Sequence, residues 1–212
     1  MGNVYSFLGF SKVLIENNIP FSIRDFLNDE KVDELIQQLV DKQCDEDTFA
    51  GAGIDRSCFI PPNGACAIKV DKGYYTDYSD EIARHEASQN TYSIHEICYD
   101  GSWVINNLEN ITKARFCCKQ NRDEIKAYNN IIKYRPNLLQ YLPQIFAVSS
   151  NNCVEIVEYC DACSESDFYS KRYDEIDRIF QDAHDNNVGL NRFNKVVYLD
   201  LGMELFYVQL SS

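Results

Sequence analysis

Apolar positions recur at helical spacing early in the chain. Val32, Leu35, Ile36, Leu39 and Val40 fall at i, i+3, i+4, i+7 and i+8, which predicts an amphipathic helix opened by Asp29, Glu30 and Lys31. Phe7, Leu8, Val13 and Leu14 predict an earlier helix that breaks near Asn17-Asn18-Ile19-Pro20. Packing against the rest of the domain, rather than display of a face to a partner, is the preferred role for both. Residues 48–70 then read as turn and hairpin: Ser57-Cys58-Phe59-Ile60, the turn Pro61-Pro62-Asn63-Gly64, and Ala65-Cys66-Ala67-Ile68-Lys69-Val70. Alternation places Cys66, Ile68 and Val70 on one face of the second strand, with Ala67 and Lys69 on the other. Residues 80–96 read as a helix and 98–118 as mixed, including Trp103. A helix from about residue 121 puts Glu124 with Tyr128, and Ile125 with Tyr128 and Ile132, on shared faces. Residues 144–148 and 153–160 read as strands joined at Ser149-Ser150-Asn151-Asn152, and 172–181 as a last helix.

Composition narrows the classes. The chain has 212 residues, enough for one two-lobed domain or two small ones. Its formal net charge of −13 opposes binding to phosphate backbones, so no direct nucleic-acid partner is expected. The acid is spread over residues 29–47, 77–86 and 165–177, which reads as a solvated surface, or as one that receives basic partners. No apolar run reaches the length of a membrane span and no charged n-region precedes an apolar one, so a cytoplasmic location is expected. The nine cysteines, including Cys117-Cys118, read as reduced thiols. Cys160-Asp161-Ala162-Cys163 is a single C-x-x-C with no second pair at metal spacing. Met1-Gly2-Asn3-Val4-Tyr5-Ser6 fits the N-myristoylation pattern, which applies only in a eukaryotic cell. Frequent Asn, Ile, Lys and Tyr suit an AT-rich genome.

The chemistry concentrates near residues 180–202. Asp182 precedes His184 and Asp185, Asn187 follows, and a Gly-containing turn leads into Val196-Val197-Tyr198-Leu199-Asp200-Leu201-Gly202. Phosphoryl transfer from a nucleotide needs such groups: one carboxylate for the attacking hydroxyl, and a second carboxylate with an amide oxygen for Mg²⁺. The same residues also suit a plain loop and strand end. Their order and spacing favour the first reading.

The set resembles the catalytic loop and metal-binding Asp of the protein-kinase-like superfamily. It is most like the small bacterial and phage kinase-like proteins, and the antibiotic and sugar kinases, that carry Asp-x-His-x-x-Asn. Ala67-Ile68-Lys69 resembles the lysine strand of that superfamily. Gln120-Asn121-Arg122-Asp123-Glu124 resembles the Gln-Asn-x-x-Glu segment that opens its helix, and Gly53-Ile54-Asp55-Arg56 the Gly-x-x-Arg turn. The Gly loop is incomplete, with Gly51 and Gly53 but Arg56 where a third glycine would stand. Lys119 is a second candidate lysine, and Glu81 and Glu86 are competing candidates for the helix glutamate.

The resemblance implies an α+β, protein-kinase-like two-lobed fold with a truncated C-terminal lobe and an N-terminal helical extension. The extension covers 1–47, the upper lobe 48–159 with an insertion near 71–113, and the truncated lower lobe 160–212. It implies ATP and Mg²⁺ as cofactors. Asp182 would orient and deprotonate the acceptor hydroxyl, and Asn187 and Asp200 would bind the metal. Lys69 would contact the phosphates and be held by Glu124. Gly51 and Gly53 would cover the phosphates, and the backbone of Glu158, Tyr159 and Cys160 would read the adenine edge. His184 would shape the loop and Asp185 would cap it. The expected activity is phosphorylation of a hydroxyl on a host protein, in phage–host or pathogen–host interaction. The alternative is a catalytically inactive, pseudokinase-type protein that binds a host partner.

Overall fold

The structure, a computed structural model, describes residues 4–52, 56–71, 108–113, 119–163 and 187–199. It is α+β, with helices and antiparallel sheets. The helices expected at 80–96 and 172–181 lie outside the described residues, as do Trp103, Cys117 and Cys118. The chain divides into two compact units: Met1–Asn121 with Ile145–Val157, and Arg122–Gln144 with Glu158–Ser212.

The first unit opens with α1, Phe7–Glu16. Ser6 caps it, its Oγ accepting from the Gly9 N–H at 3.2 Å. The helix stops where the sequence places the break: Asn18 takes a left-handed φ of 51°, which Asn tolerates well. A short 3-10 turn, Ile23–Leu27, follows, held by a capping box between Ser22 and Asp25. Then comes α2, Asp29–Gln43, capped by Asn28, with Asp29 and Glu30 at its positive end and Lys42 at its negative end.

These helices lie on a five-stranded antiparallel sheet of order β1-β2-β3-β5-β4. The strands are β1 Phe49–Ala52, β2 Arg56–Phe59, β3 Ala67–Asp71, β4 Ile145–Val148 and β5 Val154–Val157. The meander of β1, β2 and β3 corrects the expectation of a turn followed by one hairpin. Phe49–Ala52 is itself a strand, and Gly51 pairs with Cys58 beside a register shift. Glycine weakens the strand signal in sequence and suits the irregular backbone, where its φ is 154°. At the turn into β3, Gly64 has a φ of 61° and donates its N–H to the Pro61 carbonyl at 2.8 Å.

One apolar core joins helices and sheet. It takes Phe10, Val13 and Leu14 from α1 and Val32, Leu35, Ile36, Leu39 and Val40 from α2. From the sheet come Phe59, Ile68, Val70, Ala147, Val154 and Ile156. The α2 stripe is therefore packed and presents no face to a partner. Two polar anchors fix α2. The Asp33 carboxylate accepts from the Ser150 N–H at 2.8 Å and from the Ser150 hydroxyl, at the β4–β5 turn. The Gln37 amide bridges the Leu108 carbonyl and the Thr112 N–H, holding the short turn Ile111–Lys113. The outer edge of β4 is covered as well, by the N–H groups of Tyr5 and Ser6 on the Phe146 carbonyl.

The second unit holds most of α3, Lys119–Tyr134, whose first turn belongs to the first unit. The buried residues on its second-unit portion are Glu124, Ile125, Ala127, Tyr128 and Ile131. The expected Ile132 is exposed instead, because the face completes its turn at Ile131 one residue earlier. A 3-10 turn, Pro136–Tyr141, follows. A small antiparallel sheet contains β6 Asp161–Ala162, β7 Val188–Leu190 and β8 Val196–Tyr198. Gly189 permits its closeness: a Cβ there would lie 2.9 Å from the Cys160 Cβ and 3.1 Å from the Asp161 carbonyl oxygen.

Candidate functional site

The two faces of the large sheet carry different chemistry. Strand alternation turns Phe59, Ile68, Val70, Val154 and Ile156 toward the helices. The intervening residues Arg56, Lys69 and Glu155 share the opposite face, and Lys69 lies directly across from Glu155 in the β3–β5 register. Lys69 Nζ is 4.0 Å from Glu155 Oε2, and Arg56 Nη1 is 3.6 Å from the same oxygen. The carboxylate is fully buried, and the Lys69 and Arg56 side chains are 12% and 9% exposed. Arg56 Nη1 also donates to Asn121 Oδ1 at 3.2 Å, and Asn121 Nδ2 donates to the Asn152 carbonyl at 3.0 Å. A polar chain thus runs from Lys69 through Glu155 and Arg56 to the first turn of α3.

This geometry brings together residues from two of the sequence motifs, the Gly-x-x-Arg turn (Arg56) and the Gln-Asn-x-x-Glu segment (Asn121). Lys69 sits on β3 as expected, with its strand neighbours distributed as alternation requires. Lys119, the alternative lysine, opens α3 and is not on a strand. Glu124 is buried in α3 and belongs to the second unit. Glu81 and Glu86 lie outside the described residues. Gly51 is in β1; Gly53 lies outside them. On β2, burial pushes the Cys58 thiol up, while the charges of Lys69 and Arg56 pull it down.

Glu155 is the member of this cluster that sequence reasoning missed. Its signal was a charged residue inside the apolar run Val154-Glu155-Ile156-Val157. Alternation puts it on the face opposite Val154 and Ile156, but only the strand register shows that Lys69 is its neighbour.

In the second unit, β7 and β8 form the hairpin that the spacing between Asn187 and Asp200 suggests. Val188 pairs with Tyr198, Gly189 with Val197 and Leu190 with Val196. The register closes one step further out, where the Leu199 N–H donates to the Asn187 carbonyl at 2.7 Å. Asn187 is therefore bonded to the residue that precedes Asp200. An Asx-type turn fixes the hairpin tip, with Asn191 Oδ1 accepting from the Phe193 N–H at 3.0 Å and the Lys195 N–H at 3.1 Å. Asp182, His184, Asp185 and Asp200 lie outside the described residues.

The expected adenine-reading segment follows β5. The Glu158 N–H donates to the Gln144 carbonyl at 2.8 Å, and its carboxylate accepts from the Gln144 N–H at 3.2 Å. Arg192 Nε stands 3.7 Å from Glu158 Oε1, tying this segment to the hairpin tip. The Tyr159 phenol is pushed up, first by partial burial and then by its hydrogen bond with Asp161. Cys160 and Cys163 are half-buried thiols.

No family model matches the chain. COP9 signalosome complex subunit 2 of Schizosaccharomyces pombe is 26% identical to it over 126 residues, which are 58% of this chain and 28% of that protein. Among the described residues no helix is long and apolar enough to cross a membrane.

Proposed function

We propose that this protein is a minimal kinase-like phosphotransferase that uses ATP and Mg²⁺ to phosphorylate a hydroxyl on a protein of its host. The observation that carries the reading is the β7–β8 hairpin. Its register bonds the Asn187 main-chain carbonyl to the Leu199 N–H, and Asp200 is the next residue in the sequence. An amide oxygen and a carboxylate are hard oxygen donors, the set that Mg²⁺ prefers. Two further features agree. Lys69 lies on the third strand of an antiparallel sheet of order β1-β2-β3-β5-β4, and α3 falls in the sequence between that strand and β4.

In this reading Asn187 and Asp200 hold the metal, and Lys69 meets the nucleotide phosphates. Bound Mg²⁺ supplies neutralisation of the charge that develops on the transferred phosphoryl group. Asp182 orients the acceptor hydroxyl and takes up its proton. The Glu158 N–H is committed to Gln144, and the backbone of the segment Glu158, Tyr159 and Cys160 reads the adenine edge.

Calorimetric titration of the protein with ATP tests the reading. Binding should require Mg²⁺ and be lost in Asp200→Ala. Asp182→Asn should keep binding and lose phosphoryl transfer, including any autophosphorylation, because positioning and electrostatics supply the catalysis. Mg²⁺-independent or absent ATP binding by the folded wild type would remove the proposal.

A second reading is a non-catalytic interaction protein. Two observations favour it: the likeness to a protein named as a subunit of a signalosome complex, and the exposure of Leu8, Ile15, Ile23 and Leu27 in the N-terminal helical segment. It predicts that Lys69→Ala, Asp182→Asn and Asp200→Ala all leave partner binding intact, whereas polar substitutions at Leu8 and Ile15 abolish it.

A further inference from the structure

We propose that Glu155 is the positioning carboxylate of Lys69, and that Arg56 moderates it by sharing its charge. Glu155 stands directly across from Lys69 on the adjacent antiparallel strand. Its Oε2 is the atom approached by both Lys69 Nζ and Arg56 Nη1, at 4.0 and 3.6 Å. A fully buried carboxylate persists as an anion only beside cations, and here Lys69 and Arg56 of its own sheet approach it.

The location of the anchor has a mechanical consequence. A carboxylate borne on a helix moves with that helix. One borne on the neighbouring strand is fixed by the ladder: Ala67, Ile68, Lys69 and Val70 pair residue for residue with Val157, Ile156, Glu155 and Val154. Lys69 is therefore aligned by the sheet itself. Arg56 carries the link to α3 through Asn121, so the helix acts on Lys69 by drawing Arg56 toward Glu155 or away from it. Arg56 also offsets the repulsion that a bare Glu155 would exert on an anionic ligand of Lys69. This last step rests on the proposed nucleotide reading; the anchoring does not.

The test needs no nucleotide. Acetic anhydride acylates only the uncharged amine, so the acylation rate of Lys69 at fixed pH reports how strongly its charge is held. The rate is read by peptide mass spectrometry against exposed Lys31 and Lys126 in the same digest. Glu155→Gln should accelerate Lys69 acylation about tenfold or more, since a carboxylate at this range shifts a lysine by roughly one to three pH units. Arg56→Gln should slow it, because it removes a cation that approaches the same Glu155 oxygen as Lys69. Arg56→Lys should restore the wild-type rate. Loosened packing would accelerate both glutamine variants, so the opposite signs separate positioning from mere structural support. An unchanged rate in Glu155→Gln, or an unchanged or faster rate in Arg56→Gln, overturns the proposal. Titration of the same variants with Mg-ATP adds the nucleotide arm: Glu155→Gln and Arg56→Gln should each weaken binding. If the wild type binds no ATP, the phosphotransferase reading falls while the acylation result still decides the anchor.

Discussion

Truncation of Leu39 to alanine should destabilise the first unit severely, although Leu39 belongs to a helix that a sequence reader could take for a detachable arm. Leu39 is fully buried and lies one turn from Ile36 and Leu35 on the same stripe. The substitution removes about three carbon atoms, worth ~2.4 kcal/mol in transfer alone at ~0.8 kcal/mol per carbon. The cavity adds to this, because Val32, Leu35 and Ile36 are pinned by the Asp33–Ser150 and Gln37–Thr112 bonds and cannot collapse freely into it. The total falls in the range of about 2–5 kcal/mol found for buried Leu→Ala changes. With a urea slope of roughly 2 kcal/mol per molar, the unfolding midpoint should drop by about 1–2.5 M. Circular dichroism through a urea titration reads it. Leu8→Ala on α1 is the control: Leu8 is 79% exposed, so the change should cost no more than about 0.5 kcal/mol of unfolding free energy. Equal, small shifts in both variants would refute the reasoning and make α2 a peripheral arm.

Two further outcomes follow from buried ionisable groups. Burial raises the Asp33 carboxyl above its ordinary range, the Ser150 bonds opposing that only in part. Its contribution to stability is therefore fully present below the unfolded-state value and is lost as pH rises through the folded-state value. The stability of the wild type relative to Asp33→Asn should fall as pH is raised across the acid range, measured by urea unfolding at several pH values; a rise would contradict the assignment. The Cys44 and Cys66 thiols, buried and pushed well up by desolvation, should resist iodoacetamide at neutral pH in the folded protein, whereas Cys160 and Cys163 should be modified first. Mass-spectrometric labelling that finds Cys66 modified as fast as Cys163 would contradict the packing.

Elements defined by local periodicity were legible in the chain. The five apolar positions of α2 predict its buried stripe, and Asn17-Asn18 predicts the end of α1, because helix caps and stripes depend on residues within a turn of each other. The β4–β5 hairpin that turns at residues 149–152 was legible for the same reason, as Ile145–Val148 and Val154–Val157 are apolar runs around a turn signal. The strand Phe49–Ala52 was not, since two small residues and a glycine carry little strand signal and its pairing with β2 is tertiary. Lys69 was legible as a candidate from the Ala-Ile-Lys pattern and its outward parity. Glu155 was not, because cross-strand register between β3 and β5 joins residues far apart in the sequence.

The division of the sheet into an apolar and a charged face also bears on the choice between enzyme and scaffold. A sheet with one sealed face needs only apolar side chains there, and α1 and α2 supply the cover. Stability asks nothing comparable of the other face, where a buried ion cluster gains little over well-packed apolar residues and costs desolvation. Val or Leu at positions 69 and 155 would fill strands of this kind without that cost. The fold instead keeps Lys69 and Arg56 at 4.0 and 3.6 Å from one oxygen of Glu155, with the Lys69, Glu155 and Arg56 side chains 12%, 0% and 9% exposed. Such placement suits a lysine whose position and charge are used. The phosphotransferase proposed above would use that lysine, whereas binding through Leu8 and Ile15 would leave the far face of the sheet free to be apolar.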